Sequence, residues 1–282
     1  MQLACRDLVL DLDEPVVMGV LNVTPDSFSD GGRYVETASA VQRGLQMAEE
    51  GAAIIDVGGE STRPGAPPVE VREEIERVLP VVEQLAARLA VPVSIDTSKP
   101  EVMRAAVAAG ARLINDVRAL EAPGALEAAA ESGAAVCLMH MRGEPRSMQD
   151  DPRYGDVVAE VSAYLAGRLQ ACRAAGIDEG RLCVDPGIGF GKRPEHNLAL
   201  LAALDRLADP EIPVLIGVSR KSLVGIITGR PPGERLAGSL AFAALAVAHG
   251  AAIVRTHDVA ATVDAVKVAS ALRRAGSGGA WL

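Results

Sequence analysis

The chain has 282 residues but only four cysteines, Cys5, Cys137, Cys172 and Cys183, and no two stand in a C-x-x-C spacing. That argues against a disulfide scaffold or a zinc framework and makes the cytoplasm the default location. No apolar run is long enough to span a bilayer, and the opening MQLACRDLVLDLDE lacks the basic start and long apolar core of a secretory signal. No membrane association is therefore expected. Positive charge is scarce too. With a net charge of −9, the overall field does not favour nucleic acid, and an anionic ligand has to be held by a local basic cluster. Aromatic residues amount to 2%, with three Phe and one Trp, so a Phe inside a polar loop stands out. No low-complexity or linker-like stretch divides the chain.

What remains is a normal globular composition, 49% hydrophobic and 23% charged, with a sizeable core. Short β-branched apolar runs mark strands near 16–21, 53–57, 93–95, 112–114, 135–139, 182–184, 214–218 and 253–255. Helical patterns lie between them, near 37–50, 70–89, 100–109, 123–132, 153–175, 195–207, 233–248 and 259–274. Eight strands, each followed by a helix, predict an α/β fold of the (β/α)8 or TIM barrel type, with a doubly wound open sheet as the rival. The expectation is a single domain over residues 1–282, with a short N-terminal β-hairpin within 1–14 that closes the barrel bottom. Residues 275–282 are expected to be a frayed tail.

The residues just after each strand carry the functional signal. In order they are Asn22; Asp56 and Glu60; Asp96; Asn115 and Asp116; His140; Asp185; Ser219, Arg220 and Lys221; and Arg255 and His257. Barrel enzymes build their sites at this C-terminal rim from several strands at once. One such residue is accounted for by capping of the next helix; polar groups at all eight ends are better explained by a polar ligand in the mouth. Asp96, Asn115 and Asp185 suit a flat heterocycle with an amidine-like edge, because a carboxylate accepts two N–H bonds and an amide both donates and accepts. The run Gly187-Ile188-Gly189-Phe190-Gly191-Lys192 is not a Walker phosphate loop: three residues separate its outer glycines, and Arg193 follows the lysine. Its glycines instead let backbone approach a ligand closely.

The wording of these segments is specific. NVTPDSFSDGG at 22–32, DVGGESTRPGA at 56–66, SIDTS at 94–98, LINDV at 113–117, VDPGIGFGK at 184–192 and GVSRKS at 217–222 resemble, in order, the signature blocks of the dihydropteroate synthase family. These pterin-binding barrels join 6-hydroxymethyl-7,8-dihydropterin diphosphate to p-aminobenzoate. The resemblance implies that Asp96, Asn115 and Asp185 grip the pterin, with Met139 and Phe190 near its faces and Lys221 and Arg255 beside it. It implies that Asn22, Thr62, Arg255 and His257 hold the diphosphate, with Asn22 on the Mg2+ that bridges it. Phe28, Arg63, Pro64, Lys221 and Ser222 would shape the p-aminobenzoate pocket. The catalytic set implied is Asp96, Lys221, Arg255 and His257.

Other readings stay open at this point. Lys221 could be a Schiff-base nucleophile, as in some aldolase barrels, and Arg255 could merely pair with a rim carboxylate. A pterin-dependent methyltransferase shares the barrel and the Asp/Asn/Asp grip but has no use for a diphosphate clamp. A non-catalytic pterin-binding protein is the rival from another class. No Ser–His or Cys–His pair is legible as a nucleophile–base unit, which fits ionisation of the pterin–diphosphate bond before the arylamine attacks. Residues 236–248, LAGSLAFAALAVA, are small or apolar all round, so a homodimer through this helix is expected. The glycine-rich loops 22–33 and 58–68 are expected to order when substrates bind.

Overall fold

The computed structural model describes residues 1–23, 32–61 and 66–276. Two short antiparallel strands, β1 (Gln2–Cys5) and β2 (Leu8–Asp11), precede eight parallel ones: β3 (Val16–Asn22), β4 (Ile54–Gly58), β5 (Val93–Asp96), β6 (Leu113–Asp116), β7 (Ala135–Met139), β8 (Leu182–Asp185), β9 (Leu215–Gly217) and β10 (Ile253–Thr256). The order around the sheet is β8-β7-β6-β5-β4-β3-β10-β9. A parallel bridge between Val184 and Val214 joins its two ends, with Val184 N–H donating to the Pro213 carbonyl at 3.0 Å. The sheet is thus a closed barrel, and the open doubly wound alternative is excluded.

Side chains alternate across each strand, and the alternation sorts the core into two parts. Val17, Leu21, Ile55, Val57, Ile95, Ile114, Val136, Leu138, Val184, Ile216 and Val254 face outward and pack under the helices. Met18, Ile54, Leu113, Ala135, Cys137, Cys183, Leu215 and Ile253 face inward and are plugged from below by Leu3, Cys5 and Leu12 of the hairpin segment. The hairpin closes the bottom as expected. The inward parity continues upward to Asn22, Asp56, Asp96, Asn115, Met139, Asp185, Gly217 and Arg255, so the residues that plug the barrel and those that furnish its mouth share one face.

The helices are α1 (Gly32–Glu49), α2 (Val71–Ala86), α3 (Pro100–Ala108), α4 (Ala125–Ser132), α5 (Val157–Ala174), α6 (Pro194–Leu201), α7 (Ser222–Thr228), α8 (Leu236–Ala248) and α9 (Val259–Gly276). Four differ from expectation in ways that bear on the fold. α5 starts later than 153 because Asp156 caps it, its carboxylate accepting the Val158 and Ala159 amides at 3.0 Å each. The pattern at 195–207 divides into α6 and a 3-10 turn at Leu204–Arg206. After β9 an unexpected helix, α7, precedes α8; it ends at Gly229, whose φ of 72° is the left-handed cap that glycine adopts without strain. α9 also runs through residue 276, two residues into the expected frayed tail. Among the described residues no helix is long and apolar enough to cross a membrane.

Candidate active site

Hydrogen-bond register lines up the upper rim. Asn22 pairs with Gly58, Gly58 with Asp96 and Asp96 with Asn115; Met139 pairs with Asp185, and Arg255 with Met18 and Gly217. The expected pterin-site residues therefore stand in one ring. Phe28, Thr62, Arg63 and Pro64, with the rest of residues 24–31 and 62–65, lie outside the described residues.

At the centre of the ring is Arg255. Its Nε donates to Asp56 Oδ2 and its Nη2 to Asp96 Oδ2, both at 2.7 Å. Asp56 Oδ2 also accepts from Asn115 Nδ2 at 3.0 Å. Asp56 is thus the bridge that ties the arginine to the amide. Its role was not legible from sequence, although its inward parity at the end of IIDVG matches that of Asp96. The guanidinium is committed to two carboxylates, so as part of a diphosphate clamp it offers only its remaining N–H groups. Burial lowers the Arg255 pKa, but Asp56 and Asp96 outweigh it and hold the group firmly protonated. Burial also raises Asp96, to about 7, against the pull of Arg255.

Asp185 is buried at the end of β8. Its Oδ1 accepts the Gly187 amide at 2.7 Å, and burial raises its pKa against the opposing charge of Lys221. Among the described residues Asp96 Oδ1, Asn115 Oδ1 and Asp185 Oδ2 have no hydrogen-bond partner. Three acceptors at the ends of three strands are what a flat donor-edged ring needs. Lys221 reaches back over the same mouth: its ammonium donates to the Ile188 carbonyl and lies 4.7 Å from the centre of the Phe190 ring. Burial lowers its pKa to about 8. The turn that aims it inward is Arg220, a non-glycine residue at φ 59°. That conformation is held by its N–H to Ser239 Oγ at 2.9 Å and its carbonyl to Arg235 Nη1 at 3.2 Å.

His257 stands beside Ser219, with Nδ1 3.1 Å from the hydroxyl oxygen. No Ser–His pair is legible in the sequence as a nucleophile–base unit, and the fold brings this one together. Ser219 and His257 are 38 residues apart and meet only when β9 and β10 are paired. The same hydroxyl oxygen accepts the His257 backbone amide at 3.2 Å, so the serine orients the imidazole. Asn22, His257 and residues 259–261 at the start of α9 line a cleft of about 570 Å³ together with Arg43 and Arg220, which pair there with Glu50 and Asp258; the helix-terminal amides of α9 are what favour an anion. On the other side of Lys221, exposed Ser222 lines a smaller pocket of about 210 Å³ with Gly189, Lys192 and Asn197.

A closed (β/α)8 barrel with three convergent acceptors, a buried arginine and an adjoining anion cleft at its C-terminal mouth defines a barrel enzyme for a polar heterocyclic substrate. Comparison with known proteins narrows this. A family model described as "Pterin binding enzyme" matches residues 18–257. The dihydropteroate synthase of Escherichia coli K12 is 53% identical over 271 residues, 96% of each chain. The structure of Xanthomonas albilineans dihydropteroate synthase with 4-aminobenzoic acid aligns with a TM-score of 0.90 at 55% identity, over 96% of this chain and 98% of that one. Burkholderia cenocepacia dihydropteroate synthase complexed with 7,8-dihydropteroate aligns at 0.89 and 51% identity, over 98% of both chains. The chain belongs to the dihydropteroate synthases, transferases that form dihydropteroate in folate biosynthesis.

Proposed function

We propose that this chain joins 6-hydroxymethyl-7,8-dihydropterin diphosphate to p-aminobenzoate, releasing pyrophosphate, through the residues assembled at the barrel mouth. The observation that carries this reading is the set of acceptors on Asp96, Asn115 and Asp185 that no other described residue engages, with the Lys221 ammonium beside them. The acceptors take the N–H groups of the pterin; Met139 and Phe190 flank its faces, and Lys221 stands at its edge, bordering the p-aminobenzoate pocket with Ser222. Phe28, Arg63 and Pro64 belong to that pocket by family resemblance, as Thr62 does to the diphosphate.

Asn22 and His257 hold the diphosphate in the cleft at the start of α9, with Arg255 alongside. Among the described residues no three His, Cys, Asp or Glu cluster as a metal cage, and Asn22 offers one amide oxygen. That donor set fits Mg2+, which keeps several waters and is bound through substrate phosphates with one or two protein oxygens; when bound it supplies charge neutralisation on the diphosphate. Asp96 and Asp185 place negative charge around the pterin as positive charge develops there. The arylamine lone pair is already free at neutral pH, so bond breaking before attack needs no strong base. A pyrophosphate-release assay checks this. Release is expected at full rate with both substrates and Mg2+, and slowly without p-aminobenzoate. No release with both substrates overturns the assignment; none without p-aminobenzoate overturns only the order of steps.

The enzyme is proposed to be a homodimer. α7, α8 and α9 carry outward apolar side chains, Ile226 and Ile227, Leu236 and Leu245, and Val268 and Leu272, exposed between 43% and 70%. Such a group of large apolar side chains is costly to leave in water. Light scattering at micromolar concentration is expected to give twice the mass of one chain, and Leu245→Glu to shift it toward the monomer; a wild-type monomer contradicts the proposal. Its four cysteines are all buried free thiols, which supports a cytoplasmic location.

A further inference from the structure

Lys192 is only 3% exposed, and its contacts are all neutral. Its Nζ lies 2.9 Å from His140 Nδ1, 2.9 Å from the Gly187 carbonyl oxygen, 3.0 Å from that of Phe190 and 3.3 Å from that of His140. The imidazole is uncharged, because burial and the neighbouring lysine push its pKa down to about 3. Burial lowers the Lys192 pKa to about 7, with the charge of Asp185 opposing the fall; the three carbonyl dipoles and one ring lone pair that converge on this amine favour its protonated form. Without a cation between them these negative ends would repel one another in a low-dielectric interior.

The convergence is forced by close backbone packing. A methyl group at Gly187 would sit 1.9 Å from the His140 carbonyl oxygen, and one at Gly191 would sit 2.2 Å from that of Arg142. The β8 loop is thus pressed onto the β7 loop, with Lys192 at the seam. The loop held this way carries two things the site uses: the Phe190 ring, and the Ile188 carbonyl that receives the Lys221 ammonium. Tyr154 and Gln149 hold two more of its carbonyls, those of Gly191 and Gly189. All five carbonyls from Gly187 to Gly191 are thus engaged by side chains, and Lys192 alone engages two.

We propose that Lys192 is a positioning residue of the pterin site: its buried ammonium is the cation on which the β7 and β8 loops are folded together, and it sets where Phe190 and Lys221 stand. This rests on the reading that those two residues meet the pterin. A lysine that only filled space would cost stability alone when removed. A positioning lysine costs affinity in protein that is still folded.

The test is calorimetric titration of 6-hydroxymethylpterin into wild type, Lys192→Met and, as a control on the site, Asp185→Asn, each held well below its melting temperature. Lys192→Met is expected to weaken binding about tenfold or more, the scale of a charge-assisted hydrogen bond left unmade. Amide exchange of Gly189 and Phe190, whose N–H groups donate to Asn197 Oδ1 and the Gly187 carbonyl, is expected to accelerate while the barrel strands stay protected. Unchanged affinity in folded Lys192→Met, with Asp185→Asn weakened, overturns the role of Lys192 and leaves the pterin site standing. Normal binding by Asp185→Asn removes the site reading, and the inference with it. Should Lys192→Met not fold, Lys192→Ala is titrated with added propylammonium or, as the uncharged control, propanol. Restoration by the ammonium alone supports the proposal, and any other result overturns it.

Discussion

An Arg255→Met enzyme is expected to lose about a hundred- to a thousandfold in turnover, the range seen when one preorganised electrostatic group is removed from a site. It is also expected to lose about 3–5 kcal/mol of stability at neutral pH, because breaking a buried ion pair strands the partner charge. Here two carboxylates are stranded, since Asp56 and Asp96 both lean on this guanidinium at 2.7 Å. The damage reaches Asn115 as well, whose amide shares Asp56 Oδ2 with Arg255. Three strands thus lose alignment through one side chain.

The pH dependence separates this account from a simple packing defect. Asp96 in the folded wild type already has its pKa raised by burial to about 7, with Arg255 opposing the rise; in the unfolded chain an Asp titrates near ~3.9. A carboxyl that holds its proton more tightly when folded contributes stability that is fully present below the unfolded pKa. That contribution is lost as pH rises through the folded value. Wild-type stability should therefore decline between about pH 4 and 7 on account of this group. Removing Arg255 takes away the opposing charge, so the decline should extend to higher pH. Urea melts across neutral pH should show the variant and wild type drawing together toward acid and separating toward alkali. A stability difference independent of pH would leave only a packing explanation.

The barrel was legible because its strands are short, apolar on both faces and bounded by polar breaks, and each of the eight expected runs is a strand of the closed sheet. The composition of the mouth was equally plain, since Asn22, Asp96, Asn115, Asp185 and Arg255 each follow an apolar run directly, and Lys221 and His257 come three residues after Val218 and Val254. Pairings across the barrel were not. Arg255 meets Asp56 and Asp96 over separations of 199 and 159 residues, and Ser219 meets His257 only because β9 and β10 are neighbours. Nothing local records such contacts. Lys192 was hidden differently: in a glycine-rich run its local pattern speaks of loop conformation, and only the fold shows that His140 and two loop carbonyls surround it. α7 was missed because SLVGIIT is a short apolar run with no polar stripe to give it a helical period.

Asp185→Asn is expected to weaken pterin binding by about a hundredfold or more while leaving the fold intact, a loss of roughly 3 kcal/mol. The carboxylate has one oxygen committed to the Gly187 amide at 2.7 Å, which fixes its plane and presents the other to the mouth. That second oxygen can accept from the guanidine-like edge of a pterin. An asparagine of the same shape keeps an oxygen for Gly187 and so turns its NH2 toward the ligand, setting donor against donor. The folded protein has less to lose. Burial raises the Asp185 pKa, which means that the charged form is held at a cost, and the neutral amide removes that cost. The melting temperature at or above neutral pH should therefore hold steady or rise while affinity falls. Titration of 6-hydroxymethylpterin into the variant, beside a thermal melt of the same sample, reads both. Affinity within about threefold of wild type would take Asp185 out of the site, and a collapse of the melting temperature would make it a structural anchor instead.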